Sequence, residues 1–437
     1  MSDDKNVCIN VLNVHKRIIF HLAGVVSTNV KHVVYDTLEN VATNSTPAVH
    51  PRRWLAVLNE HFAAKYAISL KTIVECENAQ FLETINKLFI TYSSTELLNH
   101  IGWWMVQQYA TVMLQEASMI QSGDGRVAQS YGYTACETMV EDVFRTLLVA
   151  EHVAVSFTRS DRKKVDGIFC MIHKQTMQKL SNSTWIDDNS KIMSAQKLTN
   201  LKRVLWPPLM TDGELQDMYA VFPGTTFSYW RDWKASVQVL HTLLGTKLHE
   251  HLTSLPHNIR EFPINYHYFF NTITVAMNVI AAPLYYRKAT PAINYGGLGA
   301  TYAMHMVRVF DPQGIRLHGA GKPALWWQNT SLSMYRKKVA CDSSAGIFQE
   351  VPALETTHAA YVTARRGAPG RLLISMEGFT DEQIFFISYC HSFCGTAATK
   401  GSMDECNKGV RNFEPFSNAF DCKAGSPMNP KEKCTFF

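Results

Sequence analysis

Long apolar runs are missing from this 437-residue chain. The best early stretch, Ile18 to Val26, is about nine residues long and contains His21. A membrane-spanning helix needs about 20 consecutive apolar residues. A basic amino terminus is missing too: Met1-Ser2-Asp3-Asp4 is acidic, where a secretory leader opens with positive charge. The sequence therefore reads as having no signal peptide and no membrane anchor. A strong excess of one charge is also lacking. The net charge of +5 is spread along the chain and charged residues make up only 18%. No run of Lys and Arg interleaves with aromatics, which argues against a nucleic-acid partner. Cysteine pairs at zinc-finger spacing, internal repeats and low-complexity tracts are absent as well.

What is present is ordinary core material. Apolar residues make up 46%, enough for a full globular interior. The length implies two or three domains, or one large domain with lobes. Five of the ten cysteines lie between Cys390 and Cys434, and cysteines in a chain of this kind point weakly to disulfides in an oxidising compartment. Asn44, Asn182 and Asn329 each begin an Asn-x-Ser/Thr triplet. They are candidate glycosylation sites, although a chain this long produces such triplets by chance.

The first half has helical periodicity. Leu82, Ile85, Leu88, Phe89, then Leu97, Leu98, Ile101, Trp104 and Met105 follow i, i+3, i+4 spacing, with Ser93-Ser94-Thr95-Glu96 as a break and an N-cap. Met139 to Leu148 repeats the pattern. Residues 186–203 are expected to form a further helix that opens on Asp187-Asp188, closes on Lys202-Arg203 and is stopped by Trp206-Pro207-Pro208. The second half is mixed. Thr272–Ala281 is β-branched and apolar, so it reads as a strand. A helix is expected from about Ala300, and mostly loop from Gly395 onward.

Several ordered motifs in the last third resemble the neprilysin and endothelin-converting-enzyme family of zinc metallopeptidases. Asn294-Tyr295-Gly296-Gly297-Leu298-Gly299 resembles the family's lead into its zinc helix, and Phe310-Asp311 with Gly314 resembles the segment that follows it. Trp326-Trp327, Phe385-Phe386, Phe393-Cys394-Gly395-Thr396, Phe416 to Cys422, Met428-Asn429-Pro430 and Lys433-Cys434 continue the likeness in order. Trp185-Ile186-Asp187-Asp188 and Cys136 match more loosely upstream. The resemblance implies a fold that is mainly α with a small β component: a two-lobed, neprilysin-like ectodomain with a thermolysin-like C-terminal lobe. Residues 1–261 would form a helical N-terminal region, incomplete at its start, and 262–437 the thermolysin-like domain. It also implies an extracellular or cell-surface protein, a Cys341–Cys434 disulfide, and no partner within this sequence for Cys8, Cys394 and Cys422.

A peptidase of this family needs H-E-x-x-H on one helix. Two His at i and i+4 bind zinc and the Glu between them is the general base. In gapless register, Met304 stands at the first His, His305 at the Glu and Arg308 at the second His. A thioether suits softer metals than zinc. A guanidinium about 4 Å from a divalent cation would cost on the order of 8 kcal/mol at an effective dielectric of 20. Gln349 falls at the third ligand and Ala353 at the carboxylate that orients a zinc His; a one-residue slip would bring Glu350 to the ligand position. Pro263-Ile264-Asn265-Tyr266 stands where the family binds substrate backbone, with Pro263 in place of its Asn. Lys400 and Cys406 fall near the late His and Arg that stabilise the oxyanion and clamp substrate.

The expectation is thus a family member that has lost catalysis, needs no zinc or other cofactor, and acts by binding peptides or an active relative. A zinc endopeptidase with relocated ligands, drawn from His305, His318, Glu350, Glu355 and His358, is the alternative. A non-functional product of an incomplete gene is a third reading. His249-Glu250-His251 is read as a solvated helix feature, since its two His lie on different faces.

Overall fold

The computed structural model describes residues 2–26, 33–62, 68–113, 125–208, 211–258, 263–317, 327–341, 348–366, 378–394 and 400–437. It is mostly helical, with five short strands among these residues. Two compact units form. One contains Met1–Arg145 and Leu209–Thr253, the other Thr146–Pro208 and Ser254–Phe437. Both are therefore discontinuous in sequence.

In the first unit the expected periodic segments become the helices Ala79–Thr91 and Ser94–Met113. Ser93 caps the second: its hydroxyl accepts from the Glu96 amide at 3.3 Å, and the Glu96 carboxylate accepts from the Ser93 amide at 2.9 Å. This is the reciprocal arrangement that satisfies two otherwise orphaned donors. Strands β1 (Val34–Thr37) and β2 (Ile73–Cys76) pair antiparallel. The helix Lys247–Thr253 carries His249-Glu250-His251, with Glu250 and His251 exposed.

The second unit holds the main core, in which Phe169, Tyr302, Phe310, Tyr361, Phe385, Tyr389 and Phe436 are almost fully buried. The helix Arg159–Asn182 packs along Glu350–Arg366. A three-stranded sheet runs β3 (Lys202–Val204), β5 (Thr272–Val275), β4 (Ile264–His267), with β3 parallel and β4 antiparallel to the central strand. Two expectations change here. The helix of residues 186–203 spans only Asp188–Thr199, because Lys202 and Arg203 enter β3 and Arg203 settles over the Phe169 ring at 5.4 Å. The strand expected over Thr272–Ala281 stops at Val275 and is followed by a 3-10 turn, Met277–Val279.

The region after Gly395 departs further from its expected loop. It contains the helices Lys400–Arg411 and Glu414–Ala419. Pro415 is tolerated in the first turn of the second, where no intrahelical amide bond is required. Gly409 sits against the Tyr389 ring, where an added Cβ would lie 2.5 Å from the phenol oxygen. Glycine and proline here serve packing and helix initiation rather than loop. The Cys341–Cys434 disulfide is formed. A second one, Cys390–Cys406, was not anticipated. Cys394 and Cys422 are free thiols.

Candidate metal centre

The segment Pro291 to Phe310 is one helical run with three pitches. Its first turn, Pro291–Asn294, widens to a π turn over Tyr295–Gly299, continues as α-helix over Ala300–Met306, and tightens to a 3-10 turn over Val307–Phe310. The π turn lies against the helix Asp381–His391. A Cβ at Gly296 would meet the Phe385 carbonyl oxygen at 2.3 Å, so the approach of these two backbones requires glycine. Asn294 anchors the turn through its side-chain amide, which exchanges hydrogen bonds of 2.9 Å with both the N–H and the C=O of Tyr286.

The change of pitch decides which side chains share a face. In an α-helix Met304 and Arg308 would be stacked at i, i+4. The α-helix ends at Met306, so Arg308 falls in the 3-10 turn, where residues three apart eclipse. Arg308 is thereby displaced from the i, i+4 stacking on Met304 that a continuous α-helix would give. Met304 packs partly into the core. The Nδ1 of His305 is shut off from solvent and has no hydrogen-bond partner. Burial, reinforced by the Arg308 charge, pushes its pKa down to about 3.

Arg308 is half-buried. Its Nε donates to Gln349 Oε1 at 3.2 Å. The sequence register placed these two residues at the second and third ligand positions, and the fold brings them into direct contact. A guanidinium has five donors and no lone pair to give, and the amide oxygen it meets is already accepting. With the Met304 thioether, this set does not fit a zinc ion. Among the described residues no three His, Cys, Asp or Glu side chains are grouped to hold a metal ion.

Of the residues proposed for a relocated site, Glu350, Glu355 and His358 are engaged elsewhere. Glu350 pairs with Lys408 at 2.9 Å. Glu355 accepts the amides of Phe436 and Phe437 at 2.9 and 3.0 Å, which pins the carboxyl terminus. His358 is hydrogen-bonded to Glu382. His318 lies outside the described residues. Ala353 is fully buried in the helix Glu350–Arg366. Cys406 is consumed in the disulfide with Cys390. The side chain of Lys400 lies outside the described residues, as do Trp326, Gly395 and Thr396.

Of the residues expected to stand at the substrate position, Pro263 leads into β4, the edge strand, and its carbonyl accepts from Ala276 N at 2.7 Å. Ile264 and Tyr266 face the core, and the Tyr266 hydroxyl donates to Asn271 Oδ1 at 2.9 Å. Asn265 is half-buried. The three candidate glycosylation asparagines, Asn44, Asn182 and Asn329, are exposed. No described helix is long and apolar enough to cross a membrane.

One polar cluster beside the site was not foreseen. Asp311 Oδ1 accepts the amides of Gln313 at 2.9 Å and Gly314 at 2.6 Å, and Oδ2 accepts the Tyr268 hydroxyl. Burial raises the Asp311 pKa, against the pull of these bonds and of Arg308. Lys197 donates to the Gly314 and Leu317 carbonyls, and burial lowers its pKa to about 8. Asp311 stood in a recognised motif, but no local pattern links it to Lys197, 114 residues earlier in the sequence.

Two profiles of peptidase family M13 match the chain, one over residues 10–207 and the other over 265–357 and 345–436. Among curated proteins, endothelin-converting enzyme 1 of Bos taurus is 20% identical over 431 residues, covering 89% of this chain and 56% of its own. Neprilysin-2 of Caenorhabditis elegans is 22% identical over 432 residues, covering 86% and 57%. The chain thus spans a little over half the length of these relatives. Among solved structures, a zinc metalloprotease of Mycobacterium tuberculosis in complex with inhibitor superposes with a TM-score of 0.65 at 16% identity, covering 93% of this chain and 66% of the other. PepO from Lactobacillus rhamnosis gives 0.63 at 16% identity, covering 98% and 71%.

Proposed function

Since the chain belongs to peptidase family M13, we propose that it is a catalytically inactive member that acts by binding peptides or partner proteins. The observation that carries this reading is the Arg308 Nε to Gln349 Oε1 hydrogen bond. It joins the two side chains that the sequence register sets at two zinc-ligand positions, and it supports a site that carries a fixed cation in place of a metal ion. His305, at the position of the general base, is a poor proton acceptor near neutral pH because burial and Arg308 disfavour its charged form. Three further positions point the same way: Ala353 has no carboxylate to orient a ligand, Pro263 has no side-chain amide for substrate, and Cys406 is in a disulfide.

The two disulfides and the three exposed sequons support export to an oxidising compartment. The proposal is tested by incubating the purified protein with a mixed peptide library, with and without added zinc, and reading products by mass spectrometry. No cleavage is expected. Cleavage that a chelator abolishes would overturn the proposal.

A further inference from the structure

We propose that Arg308 and Gln349 make this position a receptor for a carboxylate, of the kind a peptide presents at its C-terminus. The inference rests on the inactive reading above, because a bound metal could not share the position with the guanidinium.

The argument is an inventory of donors. Arg308 uses Nε on Gln349, and its two terminal nitrogens have no hydrogen-bond or ion-pair partner among the described residues. Gln349 spends its oxygen on Arg308, and its amide nitrogen is likewise without a partner among them. Both residues are half-buried, so these donors are neither solvated as on an open surface nor sealed in the core. His305, three residues earlier on the same run, has an enclosed Nδ1 with no hydrogen-bond partner. Asp311 feels the Arg308 charge, but its oxygens are taken by Tyr268 and two backbone amides and it makes no ion pair with Arg308. A partly desolvated cation with unused N–H groups thus has no ion-paired anion among the described residues. The fork of a guanidinium matches the two oxygens of a carboxylate. A zinc site polarises a peptide carbonyl, whereas this arrangement holds a negative charge and leaves it unchanged.

The test uses N-acetyl-Phe-Leu and its C-terminal amide as probes, with binding followed by calorimetry on the full chain. The acid is expected to bind saturably and the amide at least about 10-fold more weakly, since charge-assisted hydrogen bonds are about twice as strong as neutral ones. R308Q is expected to lose that preference with an unchanged melting temperature, and R308K to keep part of it. Equal binding of acid and amide, binding of neither, or an undiminished preference in R308Q would overturn the receptor. Product analysis on the same samples separates the two readings. Absent cleavage with no acid preference sinks the receptor alone, whereas zinc-dependent cleavage of the probe sinks the inactive reading and the receptor with it.

Discussion

Two parts of the second unit meet along a single helical run and obey different constraints. The run's first half, Asn294 to Gly299, is a frame fixed by close contact. Gly296 touches the Phe385 backbone, Asn294 clamps Tyr286, and every residue from Tyr295 to Gly299 is buried. The second half, Met304 to Arg308, is only partly buried at the three positions that chemistry would use. On the inactive reading proposed above, the side chains changed there while the frame held. A core position resists substitution because packing penalises any change of volume. A metal ligand is constrained by the metal it binds. On that reading the constraint no longer acts on Met304, His305 and Arg308, and the α-helix ends at Met306. The contrast explains how the frame stays recognisable around a site of different chemistry.

The largest effect that would break this contrast belongs to the frame. G296A should cost about 3 kcal/mol or more, seen as a large fall in thermal midpoint, because the added methyl meets a backbone carbonyl that has no rotamer to escape into. E355L comes next. It would leave the Phe436 and Phe437 amides without their acceptor, and about 2–3 kcal/mol should be lost in urea unfolding. A tolerant frame, with either variant near wild type, would remove the distinction between the two parts.

The site should respond more weakly. The pKa of His305 in the fold, about 3, lies below its ordinary value of 6.5. Between those values the unfolded chain binds more protons, so the stability owed to a neutral ring is present above pH 6.5 and declines as pH falls through this window. The slope from this one group is at most about 1.4 kcal/mol per pH unit. H305L should therefore flatten the acid limb in urea titrations at stepped pH. An equally steep limb would mean that His305 is not held neutral by burial. R308M should shift stability by less than about 1 kcal/mol in either direction, since it trades one hydrogen bond for relief of a partly desolvated charge. The triple substitution M304H, H305E, R308H should fold and still fail to cleave peptides. Gln349 contributes no carboxylate to a third ligand position, and Pro263 has no side-chain amide for substrate.

The sequence carried the frame because its motifs are set by packing. Asn294 to Gly299 and Phe385-Phe386 are neighbours in space as well as conspicuous in the chain. The Cys341–Cys434 pair was legible through the family likeness, whereas Cys390–Cys406 was not, since its geometry depends on two helices whose second member was read as loop. Gln349 was placed by counting back through a helix, and its contact with Arg308 needed the fold. The tightening of the helix at Val307 had no signature at all. Nothing in Met306-Val307-Arg308 breaks a helix by propensity; the turn tightens where Asp311 captures the amides of Gln313 and Gly314. Lys202 and Arg203 looked like the closing turn of a helix until pairing of β3 with β5 claimed them.

The most direct test of the central claim is equilibrium dialysis of the purified full chain against zinc, with bound metal counted by plasma mass spectrometry. The account predicts no stoichiometric zinc, and no difference between the wild-type chain and R308M. One tightly held zinc per chain, displaced by M304A or Q349A, would contradict it.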